Sequence, residues 1–196
     1  MGVQKPPARR SGRRRDDVLG HAARVIAERG AEATRFADVA EVSGVPVSTL
    51  QYYFGNREDL LVAAFRHAAA RDLEAVREGM PATGAWERLL HVAEHVAGTG
   101  AGWRVWVESW RWALRDEEWR QEFLRDYAAW RALLAQVIEE GTAEGVFRAQ
   151  AGPGELASQV LALLDGLGMP IALADPALKD RAVLIGALRR LLAAAG

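Results

Sequence analysis

The chain has 196 residues, half of them apolar, with 25 Lys and Arg against 26 Asp and Glu and no cysteine. That length and apolar content suffice for a buried core and exclude a chain disordered by composition. The missing thiols exclude a disulfide scaffold, Cys-ligated zinc, iron–sulfur clusters and thiol catalysis, and a reducing, cytoplasmic setting is the expectation.

A net charge of −1 argues at first sight against nucleic acid as a partner, but a total hides where charges sit. Residues 1–15 carry Lys5, Arg9, Arg10, Arg13, Arg14 and Arg15 without an acid, interleaved with Gly2, Pro6, Pro7 and Gly12, and are predicted to be a flexible basic arm. Residues 1–66 hold 11 cations and 8 acids, residues 67–196 hold 14 and 18. The amino-terminal third can therefore face phosphates while the remainder stays off them.

Apolar spacing is helical nearly throughout, and no run alternates as a half-buried strand does, so an all-α fold is expected. A first helix is predicted over about 16–29, with Leu19, Ala22, Ala23 and Ile26 on one face and Gly30 as its stop. A second follows over about 35–43 behind Thr34 as N-cap, and a third over 46–54 with Pro46 at the first helical position. Asn56 is placed to cap a long fourth helix to about residue 78, with Glu58 and Asp59 near its positive end. Further helices are expected over about 85–97, 103–115 and 116–142, then 155–174 and 176–194, the last with Asp175 as N-cap and Pro176 behind it. The longest apolar stretch, 156–174, contains Ser158, Gln159, Asp165 and Pro170, which suits a buried helix better than a membrane span. Asp16 and Asp17 fall where a secretory signal would be apolar. The natural division is the arm 1–15, a small helical unit 16–55 and a larger helical unit 56–196.

Within residues 36–54 the spacing Ala40-x3-Gly44-x5-Leu50 fits a helix-turn-helix. Ala40 permits close approach, Gly44 takes the left-handed turn, and Leu50 with Val39 and Phe36 fills the core beneath. With Leu50 and Phe54 inward, the third helix exposes Val47, Ser48, Gln51 and Tyr52, side chains suited to base edges in a major groove. Thr34, Arg35, Thr49, Tyr53 and Arg57 supply donors for flanking phosphates.

The run Thr34-Arg35-Phe36-Ala37-Asp38-Val39-Ala40, followed by Gly44-Val45-Pro46-Val47-Ser48-Thr49-Leu50-Gln51-Tyr52-Tyr53-Phe54-Gly55-Asn56-Arg57-Glu58-Asp59-Leu60-Leu61, resembles the TetR family of bacterial transcriptional regulators over about residues 16–66. Residues 85–196 resemble the subgroup of choline–betaine regulators through Trp106-Val107-Glu108-Ser109-Trp110, Arg115-Asp116, Glu140-Gly141, Glu144-Gly145-Val146-Phe147 and Leu164-Asp165-Gly166-Leu167. The resemblance implies base contacts from Val47, Ser48, Gln51 and Tyr52 and phosphate contacts from Thr34, Arg35, Thr49, Tyr53 and Arg57. Two positions depart from the family pattern, which usually has Lys at Arg57 and an aromatic or aliphatic residue at Gln51.

All seven tryptophans lie between Trp86 and Trp130. Trp103, Trp106, Val107, Trp110 and Leu114 share one face of their helix and Trp112 the opposite one. Trp103, Trp106, Trp110 and Trp130, with Glu108, His91 and His95, are the expected lining of an effector pocket. A carboxylate such as Glu108 or Glu94 suits a cation, and Arg104 or Arg111 an anion. His91-Val92-Ala93-Glu94-His95 also matches the H-x-x-E-H spacing of inverted zinc hydrolases, so a metal-responsive regulator or metal-dependent enzyme stands as the alternative reading. The expectation is a non-enzymatic, cofactor-free regulator, a repressor released from a palindromic operator on double-stranded DNA by a small molecule. It is expected to dimerise through residues 155–194, whose Leu156, Val160, Leu163, Leu164, Leu167 and Ile171 and whose Val183, Leu184, Ala187, Leu188, Leu191 and Leu192 form broad apolar faces.

Overall fold

The computed structural model describes residues 8–98, 100–148, 151–178 and 181–192. Among them are nine α-helices, one 3-10 turn and no strand. The helices are α1 (Ala8–Arg29), α2 (Phe36–Ser43), α3 (Val47–Phe54), α4 (Arg57–Glu78), α5 (Ala85–Gly98), α6 (Gly100–Ala113), α7 (Glu117–Ala143), α8 (Pro153–Ala172) and α9 (Arg181–Leu192). None of the helices is long and apolar enough to cross a membrane.

Several boundaries differ from those read in the sequence, each for a local reason. The first helix begins at Ala8, so residues 8–15 of the expected arm are helical: Gly12 is the one poor helix former in that stretch, and arginine is a good one. Arg35, rather than Thr34, is the N-cap of α2, and its own N–H donates to Asp38 Oδ2 at 2.8 Å. Pro46 is the N-cap of α3, one residue outside the helix. The predicted Asn56 cap is in place, its Oδ1 accepting the Asp59 N–H at 2.8 Å. Asp116 caps α7 by accepting the Trp119 N–H at 2.8 Å. The expected last helix from Pro176 is divided: Asp175 Oδ1 accepts the Ala177 N–H at 2.9 Å, Pro176–Leu178 forms a 3-10 turn, and α9 starts at Arg181. A side-chain turn at Asp175 thus competes with helix initiation.

The chain forms two compact units, Met1–Arg71 with Arg104–Trp119, and Asp72–Trp103 with Arg120–Gly196. This division differs from the one read in the sequence at 55/56: α4 continues from one unit into the other, and the carboxyl-terminal part of α6 belongs with the helix-turn-helix. In the first unit α1 packs on α2 and α2 on α3. Its core is Val18, Leu19, Ala22, Val25, Ile26, Val39, Leu50, Leu60, Leu61 and Phe65, all buried. Phe65 stacks against Trp112 (centroids 6.4 Å) and Trp119 (5.7 Å), which explains why the Trp112 face of α6 is covered. Leu114 is 78% exposed, just past the end of α6 at Ala113.

His67 sits on α4 within this first unit, and burial pushes its imidazole below the usual range, Asp16 opposing the shift and Arg71 adding to it. The fold therefore favours neutral His67, and its contribution is complete above the unfolded value of about 6.5 and lost as pH falls through it. Acidification from pH 7.5 to 5.5 should lower the melting temperature less in His67→Gln than in the parent chain. Parallel melting curves that keep a constant offset would remove His67 from the pH dependence.

In the second unit α8 packs on α5 and on α9, around Leu89, Val92, Trp130, Leu134, Ile138, Phe147, Leu156, Val160, Leu164, Leu188 and Leu192. Two glycines make that packing possible. A Cβ at Gly141 would lie 2.3 Å from the Phe147 ring and 2.7 Å from Ala85 Cβ, and one at Gly168 would lie 2.1 Å from Trp103 Cε2. The space above Gly168 is therefore filled within its own chain, whereas Gly166 meets nothing within 4 Å.

Candidate functional site

The helix-turn-helix is set by three glycines with positive φ. Gly30 (φ 80°) ends α1, Gly44 (φ 66°) turns α2 into α3, and Gly55 (φ 76°) ends α3; only at such φ is a side chain strained. The Gly44 N–H closes α2 on Ala40 O at 3.0 Å. Leu50 and Phe54 of α3 are buried, which fixes the rotation of α3 about its axis. The opposite face then carries exposed Val47, Ser48, Gln51 and Tyr52, and Tyr52 is 83% exposed. Burying a ring of that size stabilises a fold by about 1.5–3 kcal/mol, a gain that Tyr52 forgoes in the single chain, where its ring is tilted against Tyr53 at 6.0 Å. The Arg15 guanidinium lies 5.3 Å from the Phe54 ring centroid, placing a cation of α1 at the end of the reading helix. Arg35 is exposed, and Thr49 and Tyr53 are half-buried at the edge of the same face.

Two expected phosphate ligands face elsewhere. Thr34 is 0% exposed, and its hydroxyl donates to Gly30 O at 2.8 Å, so it closes the α1–α2 turn. Arg57 Nε donates to Thr34 O at 2.7 Å, and its Nη2 donates to Glu32 O at 2.7 Å and to Ala31 O. Nη1 of the same residue reaches Glu58 at 3.1 Å. The guanidinium fork matches the converging carbonyls of a tight turn, which makes Arg57 a positioning residue for the segment leading into α2. Asp38 adds to the frame by pairing with Arg29 as well as with the Arg35 N–H.

A third support was not legible in the local sequence, because its partners are 77 to 83 residues apart. Glu108 of α6 accepts the Ala31 N–H at 2.9 Å and pairs with Arg111 at 3.1 Å. Arg111 and Arg115 both reach Glu32 Oε1, at 3.0 and 3.1 Å, and hold its carboxyl below the usual range, Arg115 having the larger part. Glu108, expected in an effector pocket, pins the turn that the helix-turn-helix hangs from.

The other expected pocket residues are distributed between the units. Trp106 and Trp110 are half-buried and belong with Glu108 to the first unit. Trp103 and Trp130 are buried in the second. Trp103 lies over Gly168 and donates its indole N–H to Val96 O at 2.8 Å. His91 Nε2 is 3.1 Å from Val76 O, and His95 is 3.7 Å from Asp72, so both imidazoles face the end of α4. No group of three or more His, Asp or Glu that could hold a metal ion occurs among the described residues; the helical spacing of His91, Glu94 and His95 is met without a third ligand converging. One polar site in the second unit escaped the sequence reading: Tyr127 O–H donates at 2.8 Å to Asp165, whose carboxyl burial pushes up.

Comparison with known proteins agrees with this division of labour. Residues 18–64 match the profile of bacterial regulatory proteins of the tetR family, and residues 87–195 match that of the C-terminal part of BetI-type transcriptional repressors. A crystal structure described as a TetR-family transcriptional regulator from Rhodococcus sp. is 30% identical, covering 92% of this chain and 99% of its own, with a TM-score of 0.79. A transcriptional regulator from Saccharomonospora viridis in complex with choline is 28% identical, covering 93% and 96%, also with a TM-score of 0.79. The fatty acid metabolism regulator protein of Bacillus subtilis (strain 168) is 29% identical over 80 residues, 40% of this chain and 41% of that protein, so the match spans about two fifths of that relative.

Proposed function

The chain belongs to the TetR family of bacterial regulatory proteins, with a BetI-type C-terminal half, and is a transcriptional regulator; on that premise we propose that it is a homodimeric repressor released from a palindromic operator by a small molecule. The observation that carries the reading is the α3 surface: Leu50 and Phe54 locked inward, Val47, Ser48, Gln51 and Tyr52 outward. Gln51 is the base reader, its amide suited to an adenine edge, and Tyr52 and Val47 supply apolar contact to thymine methyls. Arg35, Thr49 and Tyr53 hold the backbone.

Dimerisation is supported by the outer face of the last two helices. Ala162, Gly166, Met169 and Leu173 follow one another along the exposed side of the α8 segment, with Met169 42% and Leu173 74% exposed and Val183 exposed on α9. A two-fold axis would cover these groups and give the two α3 helices the spacing of one helical repeat or a multiple, about 34–36 Å. Release is a population shift: a ligand in the second unit favours one setting of α4 and α6, helices that run on into the first unit, and the Glu108 bond to Ala31 passes the change to α2 and α3. The coupling required is about 1–3 kcal/mol. The choline held by the Saccharomonospora viridis protein supports a small-molecule effector.

Footprinting locates the operator, and a release screen against metabolites then finds the effector. In the same assay Gln51→Ala should cost about 1–3 kcal/mol at one base pair per half-site while leaving random-DNA binding unchanged. Equal loss on operator and random DNA would remove Gln51 from base reading, and a footprint without dyad symmetry would defeat the dimer.

A further inference from the structure

The first unit contains a cavity of about 220 Å³ lined by Ala31, Glu32, Glu108, Arg111, Trp112, Arg115 and Asp116. Neither the base-reading face nor a pocket in the second unit accounts for it. Its acids are engaged: Glu108 on the Ala31 N–H and Arg111, Asp116 on the Trp119 N–H. Its two arginines converge on a single oxygen, Oε1 of Glu32. Arg111 also spends Nη1 on both oxygens of Glu108, so Glu32 is held at one oxygen only, short of the two parallel N–H bonds with which a guanidinium can grip a carboxylate. Glu32 is itself 65% exposed on a surface turn, so little holds it there beyond the two cations. On the wall beside them Trp112 has a buried Nε1–H with no acceptor, a condition that native interiors rarely leave unexplained.

We infer that this cavity is a second ligand site, one that takes a small carboxylate with an apolar body and in which the Glu32 side chain is a built-in, displaceable occupant of the Arg111–Arg115 seat. The incoming carboxylate engages the Arg115 guanidinium and Nη2 of Arg111, the donors that Glu32 gives up, its apolar part lies against Trp112 and Ala31, and Glu32 swings to solvent. No covalent step is involved. Because Glu32 belongs to the turn that carries Ala31 and leads through Thr34 to α2, exchange of carboxylates alters the support of the reading helices. Binding stands without the operator reading; only its effect on DNA rests on the function proposed above.

The test uses the full chain labelled with 15N and follows the indole N–H resonances, with that of Trp112 assigned by its loss in Trp112→Phe. Benzoate is titrated at fixed ionic strength, with acetate and inorganic phosphate as parallel arms. Benzoate should shift the Trp112 resonance saturably and more tightly than acetate. Glu32→Ala removes a competitor that is present at high effective concentration, so the affinity for benzoate should rise about tenfold. Arg115→Ala should lower it about tenfold. These opposite changes cannot both arise from a damaged fold, and unchanged melting curves would confirm that both variants are intact. A Trp112 resonance indifferent to benzoate in both the parent and Glu32→Ala, or equal affinity in Arg115→Ala, overturns the site. Phosphate binding as tight as benzoate overturns the carboxylate assignment. Benzoate binding that leaves operator affinity unchanged overturns the coupling to α2 while the site itself stands.

Discussion

Arg57→Ala should weaken operator binding on every sequence tested, lower the melting temperature, and leave the salt dependence of binding unchanged. The side chain spans three carbonyls, Thr34 O, Glu32 O and Ala31 O, and is only 27% exposed. Hydrogen bonds from a charged donor contribute about 1.5–3 kcal/mol each, less where water replaces them. Losing the set should cost about 2–4 kcal/mol of stability and at least about tenfold in operator affinity, because α2 and α3 are no longer held at one angle to α1. A phosphate ligand behaves differently: its removal lowers the slope of log affinity against log salt by about 1 and leaves stability alone. Thermal melting together with affinity at three salt concentrations separates the two. A flattened salt slope with an unchanged melting curve would return Arg57 to the DNA backbone.

The second large effect is expected at Gly168. Alanine in place of glycine inside a helix ordinarily gains about 1 kcal/mol. At Gly168 the sign reverses. A Cβ there would lie 2.1 Å from Trp103 Cε2 and Cζ2, so the indole must leave its place. With it goes the bond from Trp103 Nε1 to Val96 O, 2.8 Å. Overpacking costs about 1–3 kcal/mol, and the lost hydrogen bond about 1 more; a net loss of about 2–4 kcal/mol is expected. Trp103→Leu in the same chain should recover most of it, a coupling that a double-mutant cycle measures. Additive effects would mean that the ring and the glycine do not share the space.

The third helix shows how much of an exposed face can be legible in a sequence. Leu50 and Phe54 are four residues apart, so one face of α3 had to be buried and Val47, Ser48, Gln51 and Tyr52 had to be presented. Gly44 announced the turn because a left-handed residue is needed there. Thr34 and Arg57 were misplaced by the same local logic. A hydroxyl and a guanidinium beside a DNA-reading helix look like phosphate donors, and nothing in the spacing shows that the α1–α2 turn has carbonyls to satisfy. For Glu108, the charge and its place among tryptophans pointed to a pocket. Its actual partner, the Ala31 N–H, is 77 residues away.

The effector half was less legible still. Trp103, Trp106 and Trp110 share a helical face, yet the compact units part between Trp103 and Arg104, so a single wheel projection describes side chains with different neighbours. His91 and His95 have the spacing of metal ligands and instead meet Val76 and Asp72 of α4.

The charge distribution belongs to the sequence alone. So do the helical periodicity, the turn glycines and the rotation of α3, because each depends on residues a few positions apart and on backbone sterics. The tertiary structure alone decided which polar groups are spent. Whether an arginine, threonine, glutamate or histidine is free to meet a ligand depends on which buried donors and acceptors fold against it, and those partners are fixed by packing between distant helices rather than by spacing along one.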